Sequence, residues 1–92
     1  MYIEEFCAGG PLSSEIADEL TWKTAAYTSR ILVIVEGRKV SANCLSLCWN
    51  ELKVRAGMPI LVIVHGGCSP PDEEDRRALR DFSEAFKALT AA

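Results

Sequence analysis

Two consecutive serines, Ser13 and Ser14, could act as nucleophiles or as acceptors of a phosphoryl group. A serine hydroxyl becomes a useful nucleophile only when a neighbouring base takes its proton. The sequence contains one histidine, His65, and that residue ends a different predicted strand. The serines also follow the breaker Gly9-Gly10-Pro11 and precede a segment of helical periodicity, which is the position of a helix N-cap. We therefore expect them to cap a helix.

Four thiols and one imidazole could form a metal or redox site. Cys44 and Cys48 are separated by three residues, and His65 and Cys68 by two. Three thiolates and one imidazole would suit zinc, but neither spacing is that of a standard zinc knuckle. The first pair also differs from the C-x-x-C of redox proteins. Small, partly buried thiols are the simpler interpretation, so we expect no metal and no cofactor.

Composition limits the class of protein. A chain of 92 residues, 49% apolar and 25% charged, is typical of one globular domain, residues 1–92. Its net charge of −3, without a basic stripe, argues against nucleic acid as the partner. No apolar run reaches the roughly 18 residues of a membrane helix, and the first residues lack the pattern of a signal peptide. We expect a cytoplasmic protein with reduced cysteines that does not bind membranes.

Periodicity and breakers predict the element order β-α-β-β-α-β-α. The predicted elements are a strand Tyr2–Cys7, a helix Ser14–Tyr27, a hairpin of strands Arg30–Glu36 and Lys39–Ala42, a helix Leu45–Val54, a strand Met58–His65 and a final helix that begins at Ser69-Pro70-Pro71-Asp72. The acidic run Asp72–Asp75 suits the positive end of that helix, and we expect it to be solvated. Such elements form two layers, with strands on one side and helices on the other.

This order resembles HPr, the small phosphocarrier family of the bacterial sugar phosphotransferase system. The similarity covers nearly the whole chain. The turn Glu36-Gly37-Arg38 and the segment Val40–Leu45 are similar to the family's hairpin turn and its lead into the second helix, and Gly57 before the strand Ile60–Val64 fits as well. The resemblance implies an open-faced β-sandwich, with an antiparallel four-stranded sheet in order 1-4-2-3 and three helices on one face.

The functional positions of the family differ in this chain. The resemblance places the family's phosphoryl-accepting histidine at Ser13, its arginine at Glu15, its proline at Ile16 and its regulatory serine at Cys44. A histidine phosphoramidate passes its phosphoryl group on readily, whereas a serine phosphate ester does not. A carboxylate at the position of the arginine would also repel a dianionic phosphoryl group. The resemblance therefore implies a scaffold without the carrier chemistry.

The resemblance also implies that partner proteins dock on the first and second helices. The matching positions are Ser14, Glu15, Asp18 and Trp22 on the first helix, and Leu45, Ser46, Leu47 and Trp49 on the second. Apolar residues are retained there and the charge is reversed, so we expect a partner more basic than those of the family. A homodimer through the side of Trp22 and Trp49 is a second use of this surface.

These observations predict a divergent HPr-like protein that lacks the phosphocarrier histidine and acts as a protein-binding or regulatory module rather than as an enzyme. A functional phosphocarrier with a non-standard acceptor is the main alternative. A small metal or thiol-redox protein, based on the cysteines, is the second.

Overall fold

The computed structural model describes residues 1–68 and 71–91, which form four strands and three α-helices. The elements follow in the order β1 (Tyr2–Cys7), α1 (Ser14–Thr24), β2 (Arg30–Val35), β3 (Arg38–Ser41), a 3₁₀ turn (Ala42–Cys44), α2 (Leu45–Leu52), β4 (Pro59–His65) and α3 (Pro71–Ala91). The predicted order of elements is confirmed. No helix in the described part of the chain is long and apolar enough to cross a membrane.

The strands form one antiparallel sheet in the order β1-β4-β2-β3, as the resemblance implied. Burial alternates along the two central strands, because successive side chains point to opposite faces of a sheet. The inward residues are fully or almost fully buried, and they are Ile31, Val33 and Val35 on β2 and Ile60, Val62 and Val64 on β4. The three helices pack on this inward face and close the core.

Two phenylalanines of α3 form the centre of that core. Phe82 and Phe86 are both almost completely buried, with ring centroids 6.2 Å apart. The ring of Phe6 on β1 meets Phe86 edge-on at 5.4 Å, a favourable geometry for aromatic pairs. Leu20 of α1 and Leu45 of α2 are fully buried in the same cluster. Each of the three helices thus contributes at least one large apolar side chain.

The β2–β3 hairpin turns through Glu36 and Gly37, with φ angles of 49° and 80°. Val35 pairs with Arg38, so these are the two central residues of a two-residue loop. Two positive φ angles define a type I′ turn, whose twist matches that of the flanking strands. Glu36 therefore belongs to the turn and Arg38 to the strand. The first strand of the hairpin ends one residue earlier than predicted, and the second begins one residue earlier.

The first two helices are shorter than predicted. After Thr24 the backbone of α1 loosens into turns in which Ala26 N–H donates to Lys23 O and Tyr27 N–H donates to Thr24 O. Tyr27 still packs against the core, which explains why its spacing continued the helical pattern. The second helix stops at Leu52 because Lys53 adopts the left-handed conformation, with φ 51°.

The prediction of a solvated acidic run at the start of α3 is wrong for two of its four residues. Glu74 and Asp75 are 5% and 3% exposed. Asp75 accepts hydrogen bonds from the Ser29 hydroxyl and from the Gly67 N–H, and Glu74 accepts from the Thr28 hydroxyl. We call Glu74 and Asp75 the carboxylate clasp, because they join the segment before β2 to the segment after β4. The predicted cap at Ser69-Pro70 lies outside the described residues.

Candidate functional site

Ser13 is the N-cap of α1, as predicted from its position. Its backbone is extended, with φ −129° and ψ 170°, and its Oγ accepts a hydrogen bond of 3.2 Å from the Ile16 N–H. Ser14 is the first residue of the helix, and Glu15 lies exposed in its first turn. The hydroxyl thus satisfies a backbone donor that the helix leaves open, and the carboxylate lies at the positive helix end.

The loop before Ser13 is held by the last turn of α3. The Gly9 N–H donates to Thr90 Oγ1 at 3.1 Å. A Cβ atom at Gly10 would lie 2.6 Å from the Thr90 carbonyl oxygen, so the close approach requires glycine. Leu12 is buried and anchors the other end of the loop in the core. The start of α1 is therefore a fixed part of the fold.

His65 lies far from the start of α1. Cys7, the last residue of β1, pairs with Pro59, the first residue of β4, whereas His65 is the last residue of β4 and pairs with Arg30. A strand of seven residues spans roughly 20 Å. The β1–α1 loop leaves the sheet at the Cys7 end, so the structure does not bring this imidazole to Ser13 as a base.

Thr21 joins α1 to α2 through its hydroxyl. Its Oγ1 accepts a hydrogen bond of 3.2 Å from the Ser46 N–H and donates to Ala42 O at 3.4 Å. Ser46 lies in the first turn of α2, where the backbone N–H groups have no partner within the helix. The sequence pattern gave no signal for this threonine, because it lies beside the apolar stripe of α1 rather than on it.

The predicted docking residues divide into exposed and buried ones. Trp22 is 77% exposed and Leu47 is 85% exposed. Trp22 comes directly after Thr21 in the chain and Leu47 directly after Ser46, the two residues whose hydrogen bond joins α1 to α2. Leu45 is fully buried in the core, so its assignment to the docking surface was wrong. That assignment placed Leu45 and Leu47 on one surface, although the helix turns by about 100° per residue and positions two apart therefore face different ways.

Trp49, the other apolar docking position predicted on α2, is less accessible than Leu47. It is half-buried and packs against the core. The exposed row on α1 consists instead of Glu15, Asp18, Glu19 and Trp22, at helical spacings of three and four residues. We call Trp22, Leu47 and these three acids the acidic docking surface.

A groove of about 460 Å³ borders the acidic docking surface beside Trp22. It is lined by Glu19, Trp22, Lys23, Ala26, Tyr27 and Asp81. Within this lining, the Tyr27 hydroxyl donates a hydrogen bond to Asp81. Burial raises the pKa of Tyr27, and the hydrogen bond to Asp81 and the charge of Asp81 raise it further. The groove combines an aromatic wall with charged groups of both signs, a composition suited to a protein side chain.

The cysteines remain single thiols in the structure. Cys48 Sγ donates to Cys44 O at 3.1 Å, and burial is the main cause that raises the pKa of the Cys48 thiol. Cys7, Cys44 and Cys68 are exposed. Within residues 1–68 and 71–91, no three His, Cys, Asp or Glu side chains come together in a way that could hold a metal ion. The combination considered for zinc is therefore not assembled there.

Solved structures match this chain closely in fold. No family model matches the sequence, and no curated protein matches it. The crystal structure of HPr-C-His from Thermoanaerobacter tengcongensis has a TM-score of 0.70 at 17% identity, covering 94% of this chain and 96% of its own. The phosphocarrier protein HPr from Bacillus anthracis str. Ames has a TM-score of 0.71 at 14% identity, covering 94% and 99%. At these identities the likeness is one of fold, and the chain has the fold of HPr.

Proposed function

We propose that this chain is a protein-binding or regulatory module on the HPr fold, related to the sugar phosphotransferase system and working in the cytoplasm without phosphoryl transfer. The observation that carries this proposal is the start of α1. There Ser13 caps the helix through its Oγ, and Glu15 follows in the first turn. The resemblance places the family's phosphoryl-accepting histidine and its arginine at these two positions.

The chemistry of this pair supports a role other than that of a carrier. A phosphoryl group on Ser13 would be a stable ester, and Glu15 would repel its charge. His65, the one imidazole of the chain, lies at the opposite end of the sheet from the β1–α1 loop. The residues that would make a labile phosphoryl intermediate are thus absent from the start of α1.

The acidic docking surface supports protein binding. Trp22 on α1 and Leu47 on α2 are exposed apolar side chains, each next in the chain to a residue of the Thr21–Ser46 hydrogen bond. Tryptophan is enriched among the residues that dominate binding energy, and it favours a position at the centre of an interface. The neighbouring acids Glu15, Asp18 and Glu19 would disfavour an acidic partner and steer a basic one.

Incubation with enzyme I and labelled phosphoenolpyruvate tests the loss of carrier chemistry, with an authentic HPr as the positive control. We expect this chain to acquire no acid-labile phosphate under conditions that label the control fully. Acid-labile label on this chain would contradict the proposal and support the phosphocarrier alternative. The variants Ser13→Ala and His65→Ala would then locate the acceptor.

Affinity capture from a bacterial extract tests the docking surface. We expect a basic protein to be retained by the unmodified chain and lost with the pair Trp22→Ser and Leu47→Ser. The matched control is Ala88→Ser, an exposed apolar residue on α3 that lies outside the acidic docking surface. Recovery of enzyme I through the same two residues would contradict the proposed change of partner.

A further inference from the structure

The face of the sheet that points away from the helices carries an aliphatic patch. Its five residues are Ile3 on β1, Leu32 and Ile34 on β2, and Leu61 and Ile63 on β4. Among the described residues, none of the five belongs to the core cluster or packs against it. We call these residues the open sheet face. The fold does not need aliphatic side chains here, because a sheet with one covered face usually alternates apolar with polar residues.

The strand register arranges the open sheet face in rows. Ile63 pairs with Ile3 on one side and with Leu32 on the other. In the next row Leu61 pairs with Glu5 of β1, and Ile34 pairs with Lys39 of β3. Leu61 and Ile34 also pair with each other. This row therefore reads acid, aliphatic, aliphatic, base from one edge of the sheet to the other, with Glu5 and Lys39 both exposed.

We propose that the open sheet face binds a second copy of this chain, with the two sheets packed face to face around a two-fold axis parallel to the strands. Such an axis places β4 of one copy over β2 of the other, and β1 over β3. Leu61 then meets the partner's Ile34, and Ile63 meets the partner's Leu32. Glu5 faces the partner's Lys39, and the two-fold symmetry repeats this pair at the other edge.

Charge selects this arrangement over the alternative two-fold axis. An axis in the plane between the sheets but perpendicular to the strands would place β1 over β1 and β3 over β3. When this axis crosses the row of Leu61 and Ile34, Glu5 approaches a second Glu5 and Lys39 a second Lys39, which is unfavourable. At no position along the strands does this axis bring Glu5 over the partner's Lys39, because β1 lies over β1. Both axes keep the strands of the two sheets aligned, which is the common way for two sheets to pack, so the charges decide between them.

The shape and size of the face fit a weak dimer. A recess of about 220 Å³ lies between Ile34 and Leu61, toward Pro59 and the hairpin turn, and could receive an aliphatic side chain. Four strands about 4.8 Å apart and a strand length of roughly 20 Å give a face of about 400 Å² per copy, which is the size of weak, transient interfaces rather than of stable ones. We therefore expect dissociation on dilution.

Sedimentation velocity over a range of protein concentrations tests the proposal. We expect twice the 10.1 kDa of one chain at high concentration and one chain on dilution. Leu61→Asp should give a monomer throughout. The matched control, Leu47→Asp on α2, should dimerise like the unmodified chain, because Leu47 lies on the helical side and is 85% exposed.

A charge swap tests the orientation of the two copies. Glu5→Lys alone and Lys39→Glu alone should each weaken the dimer by about tenfold, since each creates two like-charge pairs. The double variant should restore the original dissociation constant. Both positions are exposed, so these variants are expected to fold even if Leu61→Asp does not.

A monomer at all concentrations would overturn the proposal. A dimer broken by Leu47→Asp but not by Leu61→Asp would also overturn it, in favour of association through the helices. Capture of a partner by the acidic docking surface is measured separately, so either proposal can fail alone.

Discussion

The backbone N–H of Gly67 donates a hydrogen bond of 2.9 Å to Asp75 Oδ1. The same oxygen accepts the Ser29 hydroxyl at 2.6 Å, while the neighbouring Glu74 accepts the Thr28 hydroxyl and the Cys68 N–H. A Cβ atom on Gly67 would lie 2.5 Å from Asp75 Oδ1, so the clasp requires glycine at this position. The first turn of α3 thus fixes the ends of both central strands.

Loss of the Asp75 carboxylate should destabilise the protein strongly. Asp75→Ala leaves the Ser29 hydroxyl and the Gly67 N–H buried without their acceptor, which should cost about 2–4 kcal/mol in the free energy of unfolding. Gly67→Ala should cost a similar amount, because the new methyl group meets the same carboxylate. Urea denaturation followed by circular dichroism measures both changes.

The control for the clasp is Asp72→Ala in the same helical turn. Asp72 is exposed, so its removal should change stability by less than about 0.5 kcal/mol. Equal losses for Asp72→Ala and Asp75→Ala would show that only the charge at the helix start matters, and not the buried hydrogen bonds.

Ser13 should contribute to stability as a cap. Ser13→Ala removes the acceptor of the Ile16 N–H and should cost about 1 kcal/mol, whereas Ser13→Asp should retain most of the stability. Ser14→Ala is the matched control, because that residue is exposed and lies inside the helix. Thermal unfolding of the three variants compares them. Equal effects at Ser13 and Ser14 would contradict the assigned cap.

Thr21 should be needed for the alignment of α1 and α2. Thr21→Val keeps the shape of the side chain but removes both hydrogen bonds, to Ser46 N–H and Ala42 O, at a cost of roughly 1–2 kcal/mol. Thr21→Ser retains the hydroxyl and should be closer to the unmodified chain. Amide hydrogen exchange at Ser46 gives a local measurement, and unchanged protection in Thr21→Val would contradict the assigned contact.

Tyr27 should make stability depend on alkaline pH. Its folded-state pKa is raised above the usual value of 10.0, first by burial and then by Asp81. The neutral phenol is therefore favoured by folding, and its contribution is fully present below pH 10 and lost as pH rises through the folded-state pKa. Urea midpoints between pH 8 and 11 should fall less steeply in Tyr27→Phe. Asp81→Asn, which removes the charge that raises the pKa of Tyr27, should also make the fall less steep, and an unchanged slope in both variants would contradict the role of Tyr27.

Cys48 should be the least reactive thiol of the chain toward iodoacetamide at neutral pH. Its pKa is raised by burial, then by Glu51 and Cys44, so less of the reactive thiolate is present at a given pH. Mass spectrometry of partially alkylated protein should show the exposed Cys7, Cys44 and Cys68 modified first. Early modification of Cys48 would contradict this order and would revive the thiol-redox alternative.

The sequence predicted the elements better than their surroundings. Alternating and helical periodicities report which residues face the core, and they located every strand and helix of the described chain. The carboxylate clasp was not predicted, because an acidic run at a helix start has the same pattern whether its side chains meet solvent or the backbone of a distant loop. The partners of Asp75 and Glu74 include Ser29 and Thr28, both 46 residues away in the chain.

The candidate site was predicted in part for the same reason. The cap at Ser13 depends on contacts three residues away, which a local pattern contains. The exposure of Trp22 and Leu47 and the burial of Leu45 depend on how α1 and α2 pack together. Thr21 joins these two helices through its hydroxyl, and no local sequence pattern identifies this contact.

The hydrogen bond from Gly9 to Thr90 joins residues 81 positions apart. The loop that presents Ser13 is therefore made early in synthesis, but its partner, the hydroxyl of Thr90, appears only when the last turn of α3 has been translated. A growing chain can form the β2–β3 hairpin from neighbouring residues well before that stage. An incomplete chain that lacks the end of α3 therefore cannot form this contact, and the loop before α1 is left without the hydrogen bond that holds it.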